Sequence, residues 1–381
     1  MSRDRFQSLA RVAWLPFALA VILFIAYLVA NNLLGSEYER IATNMFVLVV
    51  VVVGLQIFSG NSGVLSFGHV AFMAIGAYVS ALLTIPAELK AATFTEMPSF
   101  LHWILSTNVG FVPAVLIGGV CAAIFAILAA PPIVRLAGVP AGIATLALLV
   151  IVYTFTIQTN SITRGTSTMI GVPESTTMTN AFIWSILAVI VAVIYQGTRA
   201  GMRLRASREN FSAARSVGVR PAWDRSLAWV MSGFVAGVGG GLYGHYIVAF
   251  SAEDFYFTMT FTIVLMLVLG GMTSVSGAVV GVIFVTVLEE VLRKVETGPL
   301  NSSLPGFSQL CMAIALILVL ILRPRGLTGG HEIPWPGDWK GPGGMLRRLR
   351  GGRDVPAAQK EGAIGKGAPP QVAPPPPAAE S

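Results

Sequence analysis

Cysteine is almost missing from these 381 residues. Only Cys121 and Cys311 are present, both inside apolar runs, which argues against a disulfide framework or a thiolate metal site and leaves two small core hydrophobes. Histidine is nearly as scarce: His69, His102, His245 and His331 are scattered, so no metal-ligand spacing emerges. Charge is sparse as well, with 11% charged residues against 55% hydrophobic ones. No nucleophile stands beside a base, and no paired carboxylates fall at the depth of a predicted span. These gaps argue against enzymatic chemistry, so no catalytic residue, metal or cofactor is assigned. They also weaken an ion-coupled secondary transporter, which needs buried ionisable groups to hold its ion or proton.

What is abundant is apolar length. A mean hydropathy of +0.75 rules out an ordinary soluble domain, and the runs approach the roughly 20 residues that cross a hydrocarbon core as a helix. Ten spans are expected: 14–30, 41–58, 64–84, 109–130, 139–157, 181–196, 225–249, 258–273, 275–291 and 303–322. The first follows Arg3, Arg5 and Arg11; with no small-residue cleavage site after it, it reads as a retained anchor. From about Gly329 the chain turns to Gly, Pro, Ala and Lys without periodicity, so residues 329–381 are expected to be a disordered tail. The GAIGKGA segment in that tail is not a phosphate loop. Lys360 stands where the first glycine belongs, and Gly367 where Ser or Thr would hold magnesium.

Positive charge is concentrated. Seven arginines lie between Arg199 and Arg225, against only Glu209 and Asp224. With ten spans, 20 of the 25 Lys and Arg fall on one set of alternate loops, which puts that set and both termini in the cytoplasm. The net charge of +7 is thereby explained by topology, and no nucleic-acid partner is expected. The outer loops carry Glu88, Glu96, Glu174, Glu253 and Asp254, faces suited to an extracytoplasmic partner, and the longest of them, Gln158 to Asn180, reads as an ordered loop or cap. Glu289, Glu290, Arg293 and Lys294 read as interfacial charges that pair.

Inside the Arg-rich island, Arg208 to Val217 reads as a short helix capped by Ser207 and ended by Gly218 and Pro221. On charge alone this is a juxtamembrane helix resting on anionic membrane lipid. Elsewhere, Ser59 to Tyr78 is interrupted by Gly60, Gly63, Gly68 and Gly76 and carries Asn61, Ser62, Ser66 and His69. A second interruption, Leu269 to Gly281, contains Gly270, Gly271, Ser274 and Gly277. Polar or broken backbone at membrane depth lines a cavity or is buried in protein, and a pair of such breaks points to a central pathway, with close packing through small residues as the plainer reading. A lone His69 reads as a hydrogen-bonded packing residue ahead of a proton relay.

Taken in order, SGNSGVLSFGHVAFMAIGAYVSALL, GTSTMIGVP, SAARSVGVRPAWDRSLAWVMSGFVAGVGGGLYG, LGGMTSVSGAVVG and LRPRGL resemble the LivM-type permease subunits of branched-chain amino acid ABC importers, over roughly residues 14–328. The resemblance implies an all-α polytopic fold of about ten transmembrane helices in a bacterial inner membrane. It implies a second, LivH-like permease, two cytoplasmic ATPase subunits that hydrolyse the ATP, and an extracytoplasmic substrate-binding protein. It also implies a coupling loop, 197–224, whose EAA-x3-G pattern is met by Ser212, Ala213, Ala214 and Gly218, with serine in the acidic position. Arg208 and Glu209 stand beside it, and the ATPase would dock there. The cargo would be an aliphatic amino acid, with urea or a short amide as alternatives.

Overall fold

The computed structural model describes residues 3–33, 35–94, 97–136, 138–297 and parts of 310–333. Most of the tenth expected span, Glu96 and everything beyond Ile333 lie outside the described residues. The chain folds as α1 (Arg3–Leu33), α2 (Ser36–Ser62), α3 (His69–Thr84), α4 (Ala87–Thr93), α5 (His102–Ser106), α6 (Phe111–Ile133) and α7 (Val139–Gln158). It continues through α8 (Asn160–Thr163), α9 (Met178–Gly197), α10 (Arg199–Glu209), α11 (Phe211–Ser216), α12 (Pro221–Ile247), α13 (Phe257–Gly270) and α14 (Val275–Thr297). Among the described residues, eight helical segments are long and apolar enough to cross a membrane, and α3 is a shorter apolar helix. The expected span 64–84 is helical only from His69, because residues 63–68 form a break.

Burial separates the spans into an inner and an outer set. The apolar window of α2 is 89% buried and that of α12 is 72%, against 17% for α1. In water, the β-branched run Val49–Val53 would disfavour a helix. In a hydrocarbon setting the backbone must satisfy its own hydrogen bonds, so the same residues form a helix and pack on all sides.

Glycine sets how closely the inner helices approach. A Cβ on Gly240 of α12 would collide with the Met73 carbonyl of α3, and one on Gly76 of α3 with the Gly237 carbonyl of α12. Gly118 of α6 faces the Gly76 backbone in the same layer, and Gly270 of α13 abuts Gly277 of α14. Close backbone approach of this kind is how helices gain packing energy where water drives nothing.

At the end remote from the arginines, the connections fold into an ordered cap. Met169 and Phe250 pair as an antiparallel bridge, and Thr176 Oγ1 donates to the Leu242 carbonyl at 2.8 Å. Lys90 is wholly buried there, its ammonium donating to the carbonyls of Ile104 at 3.2 Å and Thr107 at 2.6 Å, and more weakly to Leu83. These are carbonyls at helix ends, where backbone oxygens lack partners. Burial pulls the Lys90 pKa below its ordinary 10.5. Between the depressed value and 10.5 the unfolded chain binds more protons than the folded one, so this group adds stability as pH rises through that window. Thermal midpoints in detergent at pH 7 to 10 should rise more for the wild type than for Lys90→Met; parallel curves would contradict this.

Candidate functional site

The Arg-rich island is a helical hairpin. Thr198 Oγ1 caps α10 by accepting from Gly201 N at 3.1 Å, and Asn210 Oδ1 caps α11 by accepting from Ala213 N at 2.9 Å. Ser207, expected as the cap, instead lies inside α10 and bonds back to the Leu204 carbonyl. The helix expected as one piece from Arg208 is therefore two, because Asn210 is extended at φ −149°, ψ 105°. Gly218 is left-handed at φ +85° with open space around it, and it follows α11 where a terminating glycine was expected.

Its arginines are not a free cationic patch. Arg208 Nη1 donates at 2.7 Å to the carbonyl of Gly60 in the last turn of α2, while its other nitrogens hold Glu209. Arg205 reaches the Gln196 carbonyl at the end of α9 at 2.6 Å, and Arg225 the Leu136 carbonyl just beyond α6 at 2.9 Å. Arg203 pairs at 2.9 Å with Asp224, which is buried in the first turn of α12. Helix C-termini expose unpaired carbonyls and negative partial charge, so the Arg208 and Arg205 contacts are charge-assisted ties from the hairpin to the ends of α2 and α9. The Arg203 pair ties the hairpin to the start of α12, and Arg225, itself in α12, ties that helix to the end of α6. The opposite side of the hairpin is bare: Phe211 is 46% and Val217 79% exposed, with Arg215 over the Phe211 ring. Ser212 and Ala213 are exposed with them, and Ala214 is buried.

The two glycine-interrupted stretches meet beside the hairpin. A Cβ on Gly60 would strike the Met272 carbonyl in the α13–α14 turn, one on Gly63 the Arg208 side chain, and one on Gly68 the Thr145 carbonyl of α7. Gly63 ends α2 in the left-handed region at φ +72°. The break between α2 and α3 is thus a junction where α7, α10 and the α13–α14 turn arrive together. Most of its polar groups are satisfied internally, although the buried Asn61 Oδ1 has no hydrogen-bond partner among the described residues. His69 bridges Ser66 Oγ at 2.8 Å and Ser232 Oγ at 2.9 Å among the rings of Phe58, Phe72 and Trp229, and Asn61 Nδ2 donates to the Ile57 carbonyl. Ser62 Oγ accepts from Val64 N.

Sequence reasoning passed over the strap formed by residues 326–333. Leu327 N and Thr328 N donate to the carbonyls of Leu269 and Gly270, and Thr328 Oγ1 lies 3.3 Å from Ser274 Oγ. Glu332 accepts from Val275 N at 2.7 Å and from Ser276 N and Oγ at 3.0 and 2.7 Å. A carboxylate at the positive end of α14 caps its free amides, and the only sequence signal for it was an acid after a Gly-Gly pair. The body therefore continues past Gly329 as far as Ile333. Replacing Glu332 by Ala should cost about 1–2 kcal/mol locally. Hydrogen exchange at Val275 and Ser276 should accelerate about tenfold, and unchanged protection would remove Glu332 from the cap. Gln56, one turn before Gly60, was also missed. It is fully buried, and neither of its amide atoms has a hydrogen-bond partner among the described residues.

No group of His, Cys, Asp and Glu able to hold a metal occurs among the described residues. Residues 37–321 match the family described as branched-chain amino acid transport system / permease component. The chain is 26% identical over 321 residues to the high-affinity branched-chain amino acid transport system permease protein LivM of Escherichia coli (strain K12), covering 75% of this chain and 69% of that protein. It is 27% identical over 173 residues to the probable branched-chain amino acid transport permease protein LivH of Methanocaldococcus jannaschii, covering 45% and 50%. It is also 26% identical over 160 residues to the nucleoside ABC transporter permease protein NupB of Lactococcus lactis subsp. cremoris, covering 42% and 43%. No solved structure matches.

Proposed function

Because the chain belongs to the family of branched-chain amino acid transport system permease components, we propose that it is the membrane-spanning subunit of an ATP-driven importer, energised by ATPase subunits on other chains. The observation that carries this is the two-sided α10–α11 hairpin. One side is fastened to the ends of α2, α9 and α12 through Arg208, Arg205 and Arg203, while the other leaves Phe211 and Val217 uncovered. Apolar side chains exposed outside a membrane span fit a protein partner, and the cationic residues around them, Arg215 and Arg220, favour one with an acidic rim.

In this reading the ATPases press on the hairpin from the cytoplasm, and the arginine ties pass the displacement to the junction at Gly60, Gly63 and Gly68. From there it reaches the α13–α14 turn at Gly270, Gly271, Ser274 and Gly277. His69, Asn61, Ser62 and Ser66 keep that junction stiff enough to transmit. A second permease subunit completes the membrane portion, and a binding protein delivers solute to the capped face around Lys90 and Asp254, on the side away from both termini. The location is a bacterial inner membrane. Branched-chain amino acids are the cargo favoured by the apolar interior and by most of the named relatives. A nucleoside is the second reading, favoured by the Lactococcus lactis relative.

The test is uptake by vesicles carrying the complete transporter and its binding protein. ATP inside should drive leucine accumulation, and unlabelled leucine should compete where adenosine does not. Accumulation driven by a sodium or proton gradient without ATP would overturn the importer reading, and competition by adenosine alone would replace the cargo.

A further inference from the structure

The glycine junction is full. Asn61, Ser62, Ser66 and His69 are each no more than 3% exposed, and the glycines beside them already touch their neighbours. The empty space lies next to it. A cleft of about 380 Å³ opens between the 63–67 segment and the first turns of α7, walled by Val64, Leu65, Phe67, Ile143 and Leu146. From that cleft a run of aromatic rings leads along α13 toward the capped face. Phe67 lies 6.3 Å from Phe261, Phe261 6.1 Å from Phe257, and Phe257 4.1 Å from Tyr256. The run ends where Tyr256 stacks on Tyr153 of α7, with centroids 3.9 Å apart and planes at 15°. Along this run α7 is therefore joined at one end, by a stacked pair, to the residue that precedes α13, and is parted at the other, by the cleft, from the 63–67 segment.

We propose that this wedge, with α7 on one side and the 63–67 segment and α13 on the other, is the path the solute takes past this chain. The Tyr153–Tyr256 stack is its closed outer latch, and the cleft is the inner vestibule that receives an aliphatic side chain. The proposal rests on the importer reading and adds the route to it. Walls of carbon with no charge hold an aliphatic group by burial alone, and a path must bind its cargo weakly enough to release it. Opening the latch requires parting one pair of rings, a small change. The vestibule also touches the hairpin, since Gly63 is at once part of its wall and in contact with Arg208. Displacement of α10 would thereby reshape the mouth. A lipid acyl chain shares this chemistry, and the experiment separates it from solute.

Cys121 and Cys311 are replaced by Ala, Ile143→Cys is introduced, and inside-out vesicles carrying the whole transporter are treated with a membrane-impermeant thiol reagent. Leucine at about ten times its half-protecting concentration should slow labelling about tenfold, while labelling of Met202→Cys, 51% exposed on α10, should not respond. In a second arm, Tyr153→Ala and Tyr256→Ala should each raise ATP-independent leucine exchange several-fold, up to about tenfold. Labelling indifferent to leucine but dependent on vesicle lipid overturns the route, as does unchanged exchange in both tyrosine variants. Wild-type vesicles without any ATP-driven uptake would overturn the importer reading first, before a variant is compared.

Discussion

Replacing Arg208 by Ala is expected to lower ATP-driven uptake by about 10- to 100-fold while the assembled complex continues to hydrolyse ATP. The side chain uses its fork in two directions, toward the Gly60 carbonyl at 2.7 Å and toward Glu209 Oε1 at 2.7 Å. A charge-assisted hydrogen bond of this kind contributes about 1.5–3 kcal/mol, which sets the size of the loss if the tie is what carries displacement into α2. Arg208→Lys keeps the charge but cannot span both acceptors, so it should fall between. Uptake and hydrolysis are measured on the same vesicles. Equal loss of both would mean that Arg208 serves assembly and not transmission, and loss of neither would detach the hairpin from α2.

The second large effect is on folding. Gly240→Val should destabilise the bundle by about 3 kcal/mol or more, the upper end of overpacking costs, because the added atoms meet the Met73 carbonyl of a helix that is itself locked against Gly237. No flexible side chain is available to give way. Gly218→Ala is the matched control: its φ of +85° carries about 1–2 kcal/mol of local strain in an L-residue, but nothing lies within 4 Å of its Cβ. Folded yield by size-exclusion chromatography in detergent should collapse for Gly240→Val and hold for Gly218→Ala. Similar yields would show that the inner helices can part at little cost.

Much of the scaffold was legible because membrane burial writes itself as apolar length. Eight of the ten expected spans have long helical counterparts and a ninth, α3, a shorter one, and the glycine stretches marked where helices break or touch. The hairpin's internal boundary was not legible. Ser207 and Asn210 both satisfy the capping preference, and only the extended backbone at Asn210 decides between them. The arginine ties were hidden for a different reason: apart from Asp224, which Arg203 meets, their partners are backbone carbonyls, which carry no residue type, and Gly60 is 148 positions from Arg208. Nothing in the sequence marked Lys90, because the carbonyls that hold it come from helix ends that the sequence does not bring together. Glu332 fell in a segment whose Gly-rich composition resembles the tail that follows.

All of these features converge on one idea, that force from another chain enters at the α10–α11 hairpin. The most direct measurement places a photoreactive amino acid at Val217, 79% exposed on the hairpin, in membranes expressing the full transporter. Illumination should join this chain to an ATPase subunit, and the yield should change when a non-hydrolysable ATP analogue is added. A probe at Trp103, 58% exposed on the opposite face, should not capture it. Capture from Trp103 but not from Val217, or from neither, would contradict the assignment of the hairpin as the entry point.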